Sequence, residues 1–140
     1  AATRVLCYLK SSPGQGILML KDNDLQLMGY YDSDWASCPT TRKSVSGFLM
    51  KLKAILVSWK AKKQATVSRS SSEAEYKVLA HATSEIVWLR SLFSLLQVQF
   101  DGPTPLFCEN QSALHIAANP VFHERTKHIE VDCHIVWEHF

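Results

Sequence analysis

Apolar residues alternate with polar ones in one run of the first half of the chain, and two further runs there are rich in residues that favour strands, so three β-strands are predicted. The runs cover residues 25–31, 45–51 and 55–59, and a hairpin is expected between the last two. Three short consecutive strands favour an antiparallel meander.

The period then changes to three and four, which predicts a long helix. Ser70, Ser71 and Ser72 supply N-cap candidates before it, and the apolar spacing continues from Ala74 to about residue 97. The remaining expected elements are a short strand at 104–108, a short helix to about residue 118 and a last helical stretch at 129–140. The order β-β-β-α-β-α-α indicates an α/β domain with helices packed on a mixed sheet.

Residues 1–16 form a separate lead-in, in which Val5, Leu6 and Leu9 have helical spacing before Ser11-Ser12-Pro13-Gly14 stops the helix. The main domain is therefore expected at 25–140.

The composition narrows the class of protein. With 140 residues, of which 46% are hydrophobic, the chain fits one folded domain and not a disordered segment. A net charge of +2 permits nucleic-acid binding without requiring it.

The four cysteines contain no CxxC pair, which argues against a zinc site. A signal peptide is not recognisable, and no run approaches the roughly 18 apolar residues of a membrane span. We therefore expect an intracellular protein, cytoplasmic or nuclear, without a membrane partner.

Acidic residues follow two predicted strands and begin the long helix. Asp32 and Glu109 are expected at strand ends, and Glu75 in the first turns of the helix. Carboxylates that converge in this way repel each other unless a cation lies between them, and oxygen ligands suit Mg²⁺ or Mn²⁺. Two such ions, about 4 Å apart, can catalyse phosphodiester hydrolysis.

The spacing alone leaves other interpretations open. Strand-end carboxylates are common in solvated loops, and Glu73 and Glu75 also suit a helix N-terminus through its dipole. By spacing, Asp34 and Glu73 are as eligible for a metal site as Asp32 and Glu75.

Three long segments in the same order resemble the ribonuclease H domain of copia-type retrotransposons. They are LMGYYDSDWASCPTTRKSVSGFLMKL, VSWKAKKQATVSRSSSEAEYKVLAHATSEIVWLRSLF and LFCENQSALHIAANPVFHERTKHIEVDCHIVWEHF. The lead-in is similar to the connector between reverse transcriptase and this domain. The resemblance implies a ribonuclease H-like fold, a reverse transcriptase domain in the parent polyprotein, and cleavage of the RNA strand of RNA/DNA hybrids with Mg²⁺ or Mn²⁺. It also implies that Asp32, Glu75 and Glu109 are the catalytic and metal-binding carboxylates.

Two departures from the family pattern predict weakened or lost activity. Glu109 stands where the family has Asp, and the extra methylene moves its oxygens by about 1 Å. A misplacement of this size can cost on the order of 100-fold in rate. The chain also ends before the family's fifth strand and closing helix, which carry a fourth Asp. Glu130 and Asp132 are only makeshift candidates for that role.

Basic and polar side chains are candidates for contacts with the sugar–phosphate backbone of a hybrid. His123 is a candidate for proton transfer in product release. The predicted nucleic-acid contacts are Arg42, Lys43, Lys62, Ser71, Asn110 and Gln111.

Two other functions remain open at this point. One is a nucleic-acid-binding module without catalysis. The other is an interaction module, in which an exposed sheet edge pairs with a second copy to give a homodimer.

Overall fold

Three antiparallel strands form the first part of the fold in the computed structural model, which describes residues 2–11, 13–14, 16, 25–118 and 136. They are β1 (Leu27–Asp34), β2 (Val45–Leu52) and β3 (Ile55–Lys63). β2 pairs with β1 on one side and with β3 on the other. The predicted meander is confirmed.

The first and third strands are longer than their apolar patterns indicate. β1 continues through Asp34, opposite Val45, so the expectation that Asp32 closes the strand is wrong. β3 likewise continues to Lys63. In both cases backbone pairing with β2 extends the strand through polar residues, and the sequence pattern of one strand does not reveal how far its partner reaches.

The hairpin between β2 and β3 turns at Lys53 and Ala54 without a glycine. Lys53 has a φ of 52°, in the left-handed region that side chains usually avoid. Its backbone N–H donates to the Gln26 carbonyl oxygen at 2.8 Å, which ties the turn to the entry of β1.

A long helix, α2 (Ser71–Leu95), covers one face of the sheet. Its fully buried side chains include Tyr76, Val78 and Leu79, which form one core with Tyr31 and Met50 of the strands. Each large side chain buried in this way stabilises the fold by about 1.5–3 kcal/mol. Most of the predicted apolar face is buried, although Val87 is only half-buried and Leu92 is exposed.

The start of α2 confirms the predicted serine cap. The Ser70 hydroxyl oxygen accepts a hydrogen bond from the backbone N–H of Glu73 at 3.1 Å. The Glu73 carboxylate in turn accepts a hydrogen bond from the backbone N–H of Arg69 at 2.9 Å. Two reciprocal hydrogen bonds therefore stabilise the start of the helix.

The fourth strand makes the sheet mixed. β4 (Leu106–Phe107) pairs parallel to β1, and the strand order is β3-β2-β1-β4. β4 is shorter than the predicted 104–108, since its pairing is limited to Gly29 with Leu106 and Tyr30 with Phe107. The helix α3 (Gln111–Ala118) follows, as predicted.

The lead-in contains the expected helix, α1 (Ala2–Ser11), whose apolar residues Val5, Leu6 and Leu9 are more than half exposed. The predicted helix at 129–140 lies outside the described residues except for Val136, which is helical and fully buried in the core. Within the described part of the chain, no helix combines the length and apolarity needed to cross a membrane.

Candidate functional site

Two carboxyl groups, from β1 and α2, meet at the end of the sheet where β4 has stopped. Asp32 lies in β1 two residues beyond the last residue paired with β4. Glu75 lies in the second turn of α2, and its Oε1 accepts a hydrogen bond from the backbone N–H of Ser33 at 3.1 Å. The contact holds Glu75 beside Asp32, so the structure brings two of the three predicted ligands together.

The environment of Glu75 disfavours its charge. Glu75 is only 5% exposed, and its Oε2 is buried without a hydrogen-bond partner among the described residues. Burial raises the pKa of Glu75 to about 7, and the adjacent Asp32 carboxyl adds to this rise. The Ser33 amide acts in the opposite direction, because it donates to the charged form.

This pKa predicts a pH-dependent cost in stability. The unfolded chain releases the Glu75 proton near 4.5 and the folded chain near 7. Between these values the folded state binds more protons, so the free energy of unfolding falls as the pH rises through this range and levels off above it. We expect Glu75→Gln to raise the melting temperature relative to wild type more at pH 8 than at pH 5.

Thermal melts followed by circular dichroism measure this difference, with Glu85→Gln on the same helix as the matched control. Mg²⁺ added at pH 8 should raise the melting temperature of the wild type and leave that of Glu75→Gln unchanged. A Glu75→Gln difference that is the same at pH 5 and pH 8 would show that Glu75 is ionised normally.

The two acidic residues that the spacing left eligible have other surroundings. Glu73 closes the first turn of α2 and forms an ion pair with Lys77 at 2.8 Å. Asp34 is exposed at the end of β1. The neighbouring carboxylate that raises the pKa of Glu75 is that of Asp32. Both glutamates are buried, but only Glu73 closes the helix end, a distinction that the spacing could not make.

Glu109 lies on the same open cavity as Asp32. The cavity has a volume of about 770 Å³ and occupies the sheet face opposite α2, where Gly47 and Ala61 are part of its lining. One wall is a row of side chains in register across the four strands: Phe107, Tyr30, Leu49 and Trp59. The rings of Tyr30 and Phe107 stack with centroids 5.2 Å apart. Glu109 itself is exposed at the rim.

The donor set at the pair fits a divalent cation that binds oxygen. Two adjacent carboxyl groups and one buried oxygen without a partner are stabilised by a positive ion between them. Glu109 does not complete the set, because the described residues contain no group of three or more His, Cys, Asp or Glu side chains placed to hold a metal. Asp32 and Glu75 would hold the ion, and Glu109 lines the same cavity as Asp32.

The predicted nucleic-acid contacts lie on several different elements, and none of them lines the cavity that Asp32 and Glu109 share. Arg42 and Lys43 lie in the loop after β1, Lys62 lies on the edge strand β3, and Ser71 begins α2. Arg42 adopts a φ of 54°, and its backbone N–H donates to the Cys38 carbonyl oxygen at 2.7 Å.

The last two predicted contacts begin α3. The Asn110 side-chain oxygen accepts from the backbone N–H of Ala113 at 3.1 Å, so it caps the helix and only its amide NH₂ remains for a ligand. Gln111 is exposed. His123 lies outside the described residues, as do Glu130 and Asp132.

Sequence reasoning missed the side chains that enclose the carboxyl pair. Burial and the Cys108 thiol raise the pKa of the Tyr31 hydroxyl, which keeps this wall of the site neutral. Trp35 also supports the site, because its Nε1 donates to the Ser68 carbonyl oxygen at 3.0 Å and joins the end of β1 to the start of α2. Only the alternation of apolar residues in β1 could have indicated that Tyr31 faces α2.

Several known proteins with similar sequences are transposon polyproteins of plants. The chain is 43% identical over 136 residues to the retrovirus-related Pol polyprotein from transposon RE2 of Arabidopsis thaliana, and 41% identical over 136 residues to that from transposon RE1. Each alignment covers 97% of this chain and 9% of the relative. The Pol polyprotein from transposon TNT 1-94 of Nicotiana tabacum is 34% identical over 134 residues, which are 96% of this chain and 10% of that protein.

The chain therefore spans about a tenth of the length of these curated relatives. No family model matches it, and no solved structure matches it. The expected similarity to a segment of retrotransposon Pol polyproteins is confirmed, while the names of the relatives do not specify one activity for that segment.

Proposed function

We propose that the chain is a ribonuclease H-type endonuclease, with a ribonuclease H-like fold, that cleaves the RNA strand of RNA/DNA hybrids. The observation that carries the proposal is the Asp32–Glu75 pair, with its buried unpartnered oxygen, beside a cavity that Glu109 also lines. The similarity to Pol polyproteins supports it, since the motifs of this segment resemble those of the ribonuclease H domain of such polyproteins. In the parent polyprotein the domain would then follow reverse transcriptase.

The chain's own residues account for binding and orientation in this reaction. Asp32 and Glu75 would hold Mg²⁺ or Mn²⁺, which when bound activates water and stabilises the leaving oxygen. The Ser33 amide fixes the Glu75 carboxylate through its hydrogen bond. Arg42 and Lys43, on the loop after β1, would contact phosphates, and Asn110 and Gln111 follow Glu109 at the start of α3.

One observation favours a second candidate function, a module that binds nucleic acid without cutting it. Glu109 is exposed and forms no three-ligand cluster with Asp32 and Glu75 among the described residues. Two carboxylates alone hold Mg²⁺ through fewer contacts, with the other positions filled by water.

A cleavage assay separates the two functions. The full chain is incubated with an RNA/DNA hybrid labelled on the RNA strand, in Mg²⁺, in Mn²⁺ and in EDTA, beside double-stranded DNA as the control substrate. We expect metal-dependent cuts in the RNA of the hybrid and none in the DNA duplex. A gel shift of the hybrid without any cleavage in either metal would instead assign the binding function.

A further inference from the structure

A second cleft, between β3 and α2, is lined by lysines. It has a volume of about 380 Å³, and Ser46, Gln64 and Thr66 are among its polar lining residues. The cationic and imidazole side chains around it are Lys60, Lys62, Lys63, Lys77 and His81. Four ammonium groups in one cleft are unusual for a chain whose net charge is only +2.

Two of these four lysines have no anionic partner in the part of the chain that the structure describes. Lys77 forms an ion pair with Glu73, and Lys63 Nζ donates to Cys38 Sγ at 3.0 Å. Hydrogen bonds from two threonine side chains and from Lys63 lower the pKa of Cys38 to about 5, which makes this sulfur a negative partner for Lys63. Lys60 and Lys62 have no carboxylate within ion-pair distance among the described residues. The cleft therefore has an excess of cationic donors over anionic acceptors, and an anion would balance it.

The position of the lysines follows from the strand. Lys60 and Lys62 are two residues apart on β3 and pair with Phe48 and Ser46, so both side chains lie on the sheet face that packs against α2. β3 is an outer strand of the sheet, which leaves this row open along one side. A row of cations on an open edge suits an extended ligand with repeated negative charges.

The floor of the cleft is fixed by a buried network. Gln64 Nε2 donates to Ser46 Oγ at 2.9 Å and to the Ala74 carbonyl oxygen at 3.0 Å, while the Ser68 hydroxyl donates to Gln64 Oε1 at 2.8 Å. These bonds join β2, the end of β3 and α2. The lysines on β3 are thereby held at a constant separation from the helix.

Lys77 is held in place on the opposite wall. Its Nζ donates to Thr66 Oγ1 at 3.0 Å, to Ser68 Oγ at 3.2 Å and to Glu73 Oε1 at 2.8 Å. Because these partners fix the ammonium group, little side-chain entropy remains to be lost when a ligand binds there.

The cleft is distinct from the carboxyl pair. Glu75 contacts β1 through Ser33, whereas Lys77 contacts the segment after β3 through Thr66. The two sites therefore lie on different sides of the first turns of α2, and no carboxylate of the pair lines the lysine cleft.

We propose that the lysine cleft binds successive phosphates of one nucleic-acid strand. Lysine and hydroxyl side chains are the usual contacts to phosphate oxygens, and a line of them fixes the position of a strand without reading its sequence. The proposal rests on the proposed function for the class of polymer, but it does not require cleavage. Lysines on an outer strand also prevent edge-to-edge association, and this alternative is tested below.

The test measures fluorescence anisotropy of a labelled single-stranded oligonucleotide with the full chain in EDTA, over a range of salt concentrations. The variants are Lys60→Gln/Lys62→Gln, Lys60→Glu/Lys62→Glu, and the matched control Lys10→Gln/Lys51→Gln, whose lysines lie outside the cleft. Each released phosphate contact changes the logarithmic salt slope by about 0.7 for a single strand. The first variant should therefore lose about 1.4 of the slope and about tenfold in affinity, while the control keeps the wild-type slope.

Several outcomes would overturn the proposal. Equal weakening in the control variant would mean that only the overall charge matters. The Lys60→Glu/Lys62→Glu variant keeps a charged edge strand. If it binds the oligonucleotide with wild-type affinity, the lysines prevent edge-to-edge association and do not bind phosphate. Free inorganic phosphate is the other ligand that could occupy the cleft, and calorimetry measures its binding. If this ion binds and the oligonucleotide does not, the cleft does not bind a nucleic-acid strand.

The Asp32→Asn variant separates this proposal from the previous one. It should bind the oligonucleotide in EDTA as the wild type does, because Asp32 does not line the cleft. A wild-type chain that shows cleft-dependent binding and no cleavage would count against the nuclease alone, and cleavage without cleft-dependent binding would count against the cleft alone.

Discussion

Asp32→Asn and Glu109→Asp are expected to change hybrid cleavage in opposite directions. Asp32 adjoins the buried Glu75, so its replacement removes a negative charge from the cation site. A bound metal contributes several kcal/mol to the barrier reduction, and about 1.4 kcal/mol corresponds to a factor of ten. We therefore expect Asp32→Asn to lower the cleavage rate about a thousandfold.

Glu109→Asp should increase the rate. The Glu109 side chain is exposed at the rim of the cavity that Asp32 also lines. It carries one methylene more than the aspartate of the ribonuclease H motif that this segment resembles. Shortening it by about 1 Å would let its oxygens approach the cation in the geometry that Mg²⁺ requires. The gain should be about tenfold to a hundredfold, since misplacements of this size have costs of that order.

Single-turnover cleavage of a labelled hybrid measures both changes. Asp101→Asn, an exposed carboxylate away from the cavity, is the matched control and should cleave as the wild type does. Cleavage that is unaffected by Asp32→Asn would contradict the site assignment. A Glu109→Asp variant with an unchanged rate would mean that the length of this side chain does not limit activity.

Gly29→Ala is expected to destabilise the fold at the junction of β1 and β4. A Cβ atom at this position would lie 2.7 Å from Leu106 Cδ1 and 2.7 Å from Met50 Sδ, closer than carbon contacts allow. Both atoms are at the ends of flexible side chains, so these side chains would move and the core would stay folded. Overpacking of this kind costs about 1–3 kcal/mol, which for a chain of this size lowers the melting temperature by about 3–10 °C.

The same change should loosen β4. The Gly29 N–H donates to the Pro105 carbonyl oxygen at 2.9 Å, and Gly29 with Leu106 is one of only two residue pairs between β1 and β4. Because Glu109 follows β4 by two residues, a displaced β4 moves Glu109 away from Asp32.

Gly47→Ala is the matched control for this substitution. Its Cβ atom would lie 3.9 Å from the Asp32 carbonyl oxygen, an ordinary van der Waals distance, on a strand of the same sheet. Thermal denaturation should show Gly47→Ala close to wild type or slightly more stable, since alanine restricts the unfolded chain more than glycine does. Equal melting temperatures for the two variants would show that the space around Gly29 does not limit packing.

Part of the candidate site was predictable from the residues alone. The motif around Asp32 and the serine-capped start of α2 singled out both carboxylates, and the structure brings them together, although Asp32 lies inside β1 and not at its end. The choice between Glu73 and Glu75 was not predictable from spacing. Both are buried, and only the contacts of Glu73 with Arg69 and Lys77 show that its role is to close the helix end.

The lysine cleft shows the limit of the sequence more clearly. Lys60, Lys62 and Lys63 form a visible basic run, but Lys77 is fourteen residues after Lys63, on another element. Their approach depends on how α2 packs against β2 and on the Gln64 network that joins them. No periodicity within one element contains that information.

The sequence by itself determined the types and order of the elements up to α3, since the period of apolar residues and the serine cap are local properties of the chain. Only the tertiary structure decided where β1 and β3 end, how short β4 is, and that Glu75 is buried beside Asp32 while Glu109 stays exposed at the rim. The physical reason is that strand length depends on a pairing partner, and the ionisation of a carboxyl group depends on neighbours from distant segments.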